Sequence, residues 1–198
     1  ADIALFYMQI RNQQLSIFTE DYGYGRKMVN AGKSYSCGAE LTLRGMAADN
    51  RLSWAASYGY THAAFKEYKT KESERGEAID YKDNNVPFVP EHPFAAMADY
   101  RFNISNSTLK SITAGANVAG QGKIYWDEAN SFEQKFYATL GAHCVADFGF
   151  CKVNIWAKNL TDTKYNTFAF LSRATGQDSF AAQRGNPIQC GVDLSFHF

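Results

Sequence analysis

The sequence predicts an all-β fold of antiparallel transmembrane β-barrel strands, about eight of them, and three observations carry that prediction. From Gln189 to Phe198 the chain alternates without a fault: Cys190, Val192, Leu194, Phe196 and Phe198 are apolar, and the residues between them are small or polar. A period of two belongs to a strand with unlike surroundings on its two faces. Short and long connections take turns along the chain, and aromatic residues gather at both ends of the strand-like stretches, as at the two interfaces of a bilayer. An apolar series that runs to Phe198 with no tail to shield it is out of place in water and expected in a strand that faces lipid.

Composition agrees. Aromatic residues are 15% and charged residues 20% of the 198, with a net charge of +0. That balance offers nucleic acid no electrostatic footprint, so no nucleic-acid partner is expected. Mean hydropathy is −0.37, and no apolar run approaches the ~18 residues of a membrane helix. Transmembrane strands need only ~9–11 residues each and alternate apolar with polar, which keeps the average low. The start, Ala1-Asp2-Ile3-Ala4, lacks the basic residues and apolar core of a signal peptide. Either a signal has been removed or the chain is an excerpt of a longer one. The four cysteines, Cys37, Cys144, Cys151 and Cys190, lack metal-ligand spacing and read as small hydrophobes. Cys144 and Cys151 flank a tight turn and are not expected to face each other as a disulfide requires.

Each element follows from its own pattern. Ala4 to Phe18 alternates loosely, with Phe6, Met8 and Ile10 on one side and Tyr7, Gln9 and Arg11 on the other. After a Gly/Tyr-rich loop, Ser34 to Arg44 sets Tyr35, Cys37, Ala39, Leu41 and Leu43 against polar neighbours. A tight turn at Ala47-Ala48-Asp49-Asn50 leads to Arg51–Tyr68, where Leu52, Trp54, Ala56, Tyr58 and Tyr60 share a face. The longest loop, roughly Lys69 to His92, is charged and ends in Val86-Pro87-Phe88-Val89-Pro90. Phe94 to Asn103 alternates cleanly, turns at Ser105-Asn106-Ser107, and is followed by Thr108 to Tyr125. A loop at Asp127–Ser131 precedes the Phe136–Phe148 alternation, a short turn, and Val153, Ile155 and Ala157 against Lys152, Asn154, Trp156 and Lys158. A loop near Arg173–Gln183 then leads to the final strand. The short turns belong on the periplasmic side, which places the 69–92 loop outside the cell. Trp54, Phe102, Phe148, Phe150 and Phe198 fall at the short-turn girdle, and Tyr60, Phe94, Tyr125, Trp126 and Phe132 at the long-loop girdle.

The competing reading is a soluble sandwich or lipocalin-like barrel with the apolar face as its core. Its other face would be rich in Lys and Glu. Here that face carries Ser, Thr, Gly, Asn and isolated charges, and the apolar face is rich in Ala, which fills a core poorly. The whole of 1–198 reads as one barrel segment, with no plug-like segment visible.

Several stretches resemble the TonB-dependent outer-membrane receptors. Asn30 to Leu41 resembles their "N-x-G-x-x-x-x-x-G-x-E-L" strand, and Tyr58-Gly59-Tyr60-Thr61-His62-Ala63 the next one. Val86 to His92 resembles "V-P-x-x-P-x-H", and Asn159 to Tyr165 is similar to "N-L-x-D-x-x-Y". Gly185-Asn186-Pro187 leading to Phe198 resembles the closing strand. Cys37 and Cys190 depart from the pattern at lipid-facing positions where any small apolar residue serves. The resemblance implies the C-terminal part of a larger barrel of such a receptor, in the outer membrane of a Gram-negative bacterium. Uptake of a scarce nutrient such as a ferric siderophore is implied, with a TonB-type energy-coupling protein acting through a plug outside this chain. An even count of eight also permits a small closed barrel with a structural or adhesive role. The resemblance makes Cys190, Val192, Leu194, Phe196 and Phe198 the signal for the barrel assembly machinery, with outer-membrane lipid as their other partner.

No enzyme constellation and no cofactor or metal signature is expected. His143 and Asp147, four apart on one face, read as a polar lumen network, since polar lumen residues are the norm. Glu40, Arg44, Asp99, Arg101, Lys152, Lys158 and Asp193 are lumen charges, because a charge facing lipid costs ~2–4 kcal/mol at the midplane. Substrate contact belongs to the loops, with Tyr22, Tyr24, Arg26, Arg75, Tyr81 and Lys82 as candidates.

Overall fold

The computed structural model describes residues 1–19, 25–30, 32–70, 78–104, 108–172 and 179–197. Eight long strands form one antiparallel sheet: β1 (Asp2–Arg11), β4 (Lys33–Ala47), β5 (Leu52–Glu67), β8 (Phe94–Asn103), β9 (Ser111–Gln121), β12 (Tyr137–Asp147), β13 (Cys151–Lys158) and β16 (Gln189–Phe196), in that spatial order. Between them lie four two-stranded hairpins, β2–β3 (Gln14–Thr19, Gly25–Asn30), β6–β7 (Lys69–Thr70, Ile79–Asp80), β10–β11 (Ile124–Tyr125, Glu133–Gln134) and β14–β15 (Asn166–Ser172, Ser179–Arg184). Every hairpin sits in a long connection, so all four are at one end of the sheet. All four fall where the sequence pattern shows loop or continuous strand: Ala4–Phe18 breaks into β1 and β2, β6 and β7 lie in the 69–92 loop, Thr108–Tyr125 breaks into β9 and β10, and β15 falls largely inside the loop read near Arg173–Gln183, with β14 just before it.

Ladder partners share a face, so the register tests the alternation directly. Ala98, Ala116, Ala142, Ala157 and Cys190 are successive partners across β8, β9, β12, β13 and β16. Ile3, Leu41, Tyr58, Phe94 and Gly120 form another such row from β1 to β9. The first of these rows lies mid-strand in β9 and close to the long-loop end of β16, the stagger that a tilted barrel wall requires. β1 resolves its own ambiguity: Tyr7 pairs with Cys37 and Leu5 with Ala39, so Ile3, Leu5 and Tyr7 join the apolar face and Phe6, Met8 and Ile10 the polar one.

The apolar face is bare. Leu5 is 81% exposed, Val192 and Leu194 61%, and Ile155 58%, so no second protein layer covers it. A sandwich core is thereby excluded, and an apolar sheet face of this extent needs lipid. Among the described residues no ladder joins β1 to β16, so the sheet is an open section of wall and not a small closed barrel.

Several lumen charges have partners along the polar face. His143 Nε2 lies 3.2 Å from Asp99 Oδ1, Lys152 Nζ 3.5 Å from Asp147 Oδ2, and Arg44 3.5 Å from Asp2. Asn154 donates to Asp193 at 3.1 Å, and Lys158 Nζ stands 5.0 Å above the Trp156 ring. His143 thus pairs with Asp99 two strands away, and not with Asp147. Gly115, between them on β9, makes this bridge possible: a Cβ there would fall 1.9 Å from Asp99 Oδ1 and 2.3 Å from His143 Cε1. Gly115→Ala is expected to part the pair while leaving the sheet intact, since only side-chain ends obstruct it. A double-mutant cycle checks this: His143→Ala costs stability in the parent and next to nothing in the Gly115→Ala background.

All four cysteines are free. Cys37, Cys144 and Cys190 lie on the apolar rows, and Cys151 pairs with Phe196 on the same face.

Candidate functional site: the long-loop crown

The buried hydrophobic clusters of this chain lie at the long-loop end, where the end of β5 meets the loops. Ala63, Phe65, Tyr68 and Val86 form one buried cluster, with Leu15, Val29, Tyr81 and Val89 packed against it. Ile124, Trp126 and Ala169 form a second, with Phe132 against it. Trp126, at 6% exposure, is therefore a loop-core residue and not a girdle residue.

Amide side chains tie neighbouring loops together. Asn130 Oδ1 accepts from the Asn85 backbone N–H at 2.7 Å, and Asn130 Nδ2 donates to the Asn85 carbonyl at 3.0 Å. Asn84 Nδ2 donates to the Glu128 carbonyl at 2.8 Å. The Asn166 N–H donates to Gln134 Oε1 at 2.8 Å, joining the third loop to the fourth. Backbone bonds from Phe88 to Tyr125 and from Glu91 to Lys123 complete the seam.

The motif residues prove to be joints of this crown. Gly32 has φ +62 and lies where a Cβ would meet the Glu67 carbonyl oxygen at 2.3 Å, and Asn30 Oδ1 accepts its N–H at 3.0 Å. Tyr58 hydroxyl is 2.8 Å from His92 Nδ1. Asn159, 6% exposed with φ 50, accepts from the Thr163 N–H at 2.9 Å and donates to the carbonyls of Thr163 and Asn186 at 3.0 and 2.9 Å. Asp162 Oδ1 accepts from Ile188 N–H at 3.2 Å. The Tyr165 ring covers Gly185, where a Cβ would fall 2.1 Å from the ring, and stacks on Tyr137 at 4.2 Å. Together these fasten the segment before β16 onto the end of β13.

Of the candidate contact residues, Tyr22, Tyr24 and Arg75 lie outside the described residues, as does Phe198, and Arg26 is described only as part of β3. Tyr81 packs on Tyr68, ring centroids 5.2 Å apart, and serves the loop core. Lys82 donates its N–H to Asp80 Oδ1 at 3.0 Å, and Lys69 Nζ lies 3.3 Å from Asp80 Oδ2. These contacts, the Lys82 N–H foremost, hold the Asp80 carboxyl below its usual range. A lowered carboxylate stabilises the hairpin above the ordinary carboxylate range, and that contribution is lost as pH falls through the lowered value.

Two features escape the sequence. A cavity of about 250 Å³ opens where the polar face meets the crown, lined by Asn117, Thr139, Gly141, Lys158, Tyr165 and Gln189 among others. Phe88, with φ 66, is 51% exposed and stacks on Phe168. Only the run of two prolines around Phe88 signals a constrained loop there.

Comparison with known proteins shows where this sequence and fold recur. The β-barrel of the TonB dependent receptor-like family matches residues 1–160. The chain belongs to the TonB-dependent receptor family. The ferrioxamine receptor of Yersinia enterocolitica is 31% identical over 176 residues, which are 84% of this chain and 22% of that receptor. In fold the chain is similar to the ferric yersiniabactin uptake receptor of Yersinia pestis, with a TM-score of 0.78 at 23% identity over 99% of this chain and 27% of that one. The siderophore receptor PiuA from Acinetobacter baumannii gives 0.71 at 22% identity, over 97% and 25%. This member of the TonB-dependent receptor family therefore spans about a quarter of the structures it resembles. The family is one of receptors and transporters, and its barrels lie in the outer membrane of Gram-negative bacteria.

Proposed function

We propose that residues 1–198 form the C-terminal part of the barrel of an outer-membrane receptor that imports a ferric siderophore, driven by a TonB-type energy-coupling protein. The bare apolar face carries this reading: it requires lipid on one side of the wall and leaves the paired lumen charges on the other. The family and the ferrioxamine receptor likeness supply the substrate class. The long-loop crown faces outward and meets the chelate, with Tyr22, Tyr24, Arg26, Arg75 and Lys82 as the candidate contact residues. The exposed Cys190, Val192, Leu194 and Phe196 face lipid on the edge strand β16 and, with Phe198, serve the barrel assembly machinery. The test is uptake of radio-iron from ferric siderophores by cells with and without the complete receptor gene. Uptake that depends on the gene and collapses with a protonophore is expected. Unchanged uptake across hydroxamate and catecholate chelates would refute the reading.

A further inference from the structure

We infer that Lys66 and Arg11 form a site on the outer wall of the barrel for the phosphate of an outer-leaflet lipid headgroup. The inference rests on the orientation proposed above, with the long-loop end outward and the apolar face in lipid.

Three neighbouring strands change character together toward the long-loop end. On the apolar face β1 runs Ile3, Leu5, Tyr7, Gln9, Arg11, and its partner β4 runs Leu41, Ala39, Cys37, Tyr35, Lys33. On β5, Tyr58, Tyr60, His62 and Ala64 continue the same rows, and Lys66 follows them. Each strand thus ends in a cation beyond its aromatic residues. At ~3.3 Å per residue, Arg11 stands about 13 Å past Tyr7 along the strand. Tyrosines mark the edge of the hydrocarbon, and beyond them a cation on the lipid side costs little.

A bulge sets Lys66 apart. Ser34 pairs with Phe65 and Lys33 with Glu67, so Lys66 is the extra residue of the ladder. Its side chain leans across β4 toward β1: Nζ donates to the Tyr7 hydroxyl at 2.9 Å and stands 5.6 and 5.2 Å from the Tyr7 and Tyr35 ring centroids. The two rings stack at 6.4 Å, and the Tyr35 hydroxyl lies 3.1 Å from His62 Nε2. An aromatic shelf therefore carries the ammonium and holds it on the lipid side of the wall.

Positive charge is left over there. Glu67, the carboxylate of the patch, is spent on Lys33 at 2.7 Å. Among the described residues neither Lys66 nor Arg11 has an ion pair, and Arg11 is exposed. The lumen cations Arg44 and Lys152, by contrast, have carboxylate partners. Two bare cations above an apolar band match an amphiphile with an anionic head. A phosphate suits them best, since arginine offers a planar fork of donors and lysine a compact charge. The Tyr7 hydroxyl accepts from Lys66 and so keeps its own proton for a phosphate oxygen. A second copy of this chain would set cation against cation.

The experiment uses the complete receptor in maltoside micelles, which carry no phosphate, titrated with diphosphoryl lipid A or its dephosphorylated form. Native mass spectrometry counts the lipid bound. Affinity for the diphosphoryl form is expected to fall roughly fivefold in Lys66→Gln or Arg11→Gln and roughly thirtyfold in the double variant. Lys66→Arg and Arg11→Lys should stay near wild type. Wild-type receptor that binds both lipid forms equally overturns the site, and this comparison holds even where a variant fails to assemble. Unchanged affinity in the double variant also overturns it. Inorganic phosphate should compete only weakly, because it lacks the acyl chains that the apolar face holds; competition on equal terms would make the free ion the ligand and overturn the lipid assignment. Siderophore uptake is a separate readout. Gene-dependent uptake without any phosphate preference removes this inference alone, and phosphate preference without uptake supports the site while removing the substrate reading.

Discussion

Ala116→Arg is expected to abolish assembled barrel or lower its stability by ~2–4 kcal/mol, the cost of a cation facing lipid at the midplane. Ala116 is the middle of β9 and lies between Ala98 and Ala142 on the bare apolar face. Its neighbour Asn117 points to the other face, pairs with Met97 and Gly141, and lines the polar cavity. Asn117→Arg keeps its charge hydrated and is expected to cost far less. Heat-modifiable mobility of the complete receptor on gels, compared between the two variants, checks the assignment of faces. Equal behaviour would mean that the faces see similar surroundings and that the apolar face is not in lipid.

Asn159→Ala is the second large effect. The buried side chain makes three hydrogen bonds to the backbone of two separate segments, and the residue holds a left-handed φ of 50. Each hydrogen bond contributes ~0.5–1.5 kcal/mol net, and alanine tolerates the backbone less well than asparagine, so a loss of about 2–4 kcal/mol is expected. Asn159→Gly separates the two causes, because glycine accepts the φ but makes no side-chain bond. It should recover only the smaller, backbone part. Limited proteolysis between β13 and β16 and thermal unfolding report the effect. Aspartate is no rescue, since it would set an acceptor against two carbonyl oxygens.

The strands were legible because each long strand divides two unlike surroundings, and the period of two survives wherever that is so. In β12, β13 and β16 the alternation places every residue on the face that the register assigns. β1 was not legible in this way: Leu5, Phe6, Tyr7 and Met8 are apolar on both faces, and only the ladder to β4 separates them. β14 and β15 escaped notice for a different reason. Phe168, Ala169 and Phe170 pack against other loops and not across a membrane, so their spacing carries no simple period. The Asp99–His143 pair needs the registers of three strands and the missing side chain of Gly115 at once. The left-handed Phe88 depends on bonds from two neighbouring segments, which no local pattern encodes. Conversely, the family-like motifs were visible in sequence while their purpose was not: Asn159, Asp162 and Tyr165 fasten loops.

The reciprocal bonding of Asn85 and Asn130 has a bearing on how such receptors diversify. Each loop keeps half of its fastening in the next one, so a loop transplanted alone arrives with its asparagine facing a stranger. Descent with altered ligand range is then expected to proceed through exchange of adjacent loops as a set, with breakpoints in the strands at the short-turn end. Chimeras cut there would inherit both halves of every seam, and those cut between the Asn85 and Asn130 loops would not.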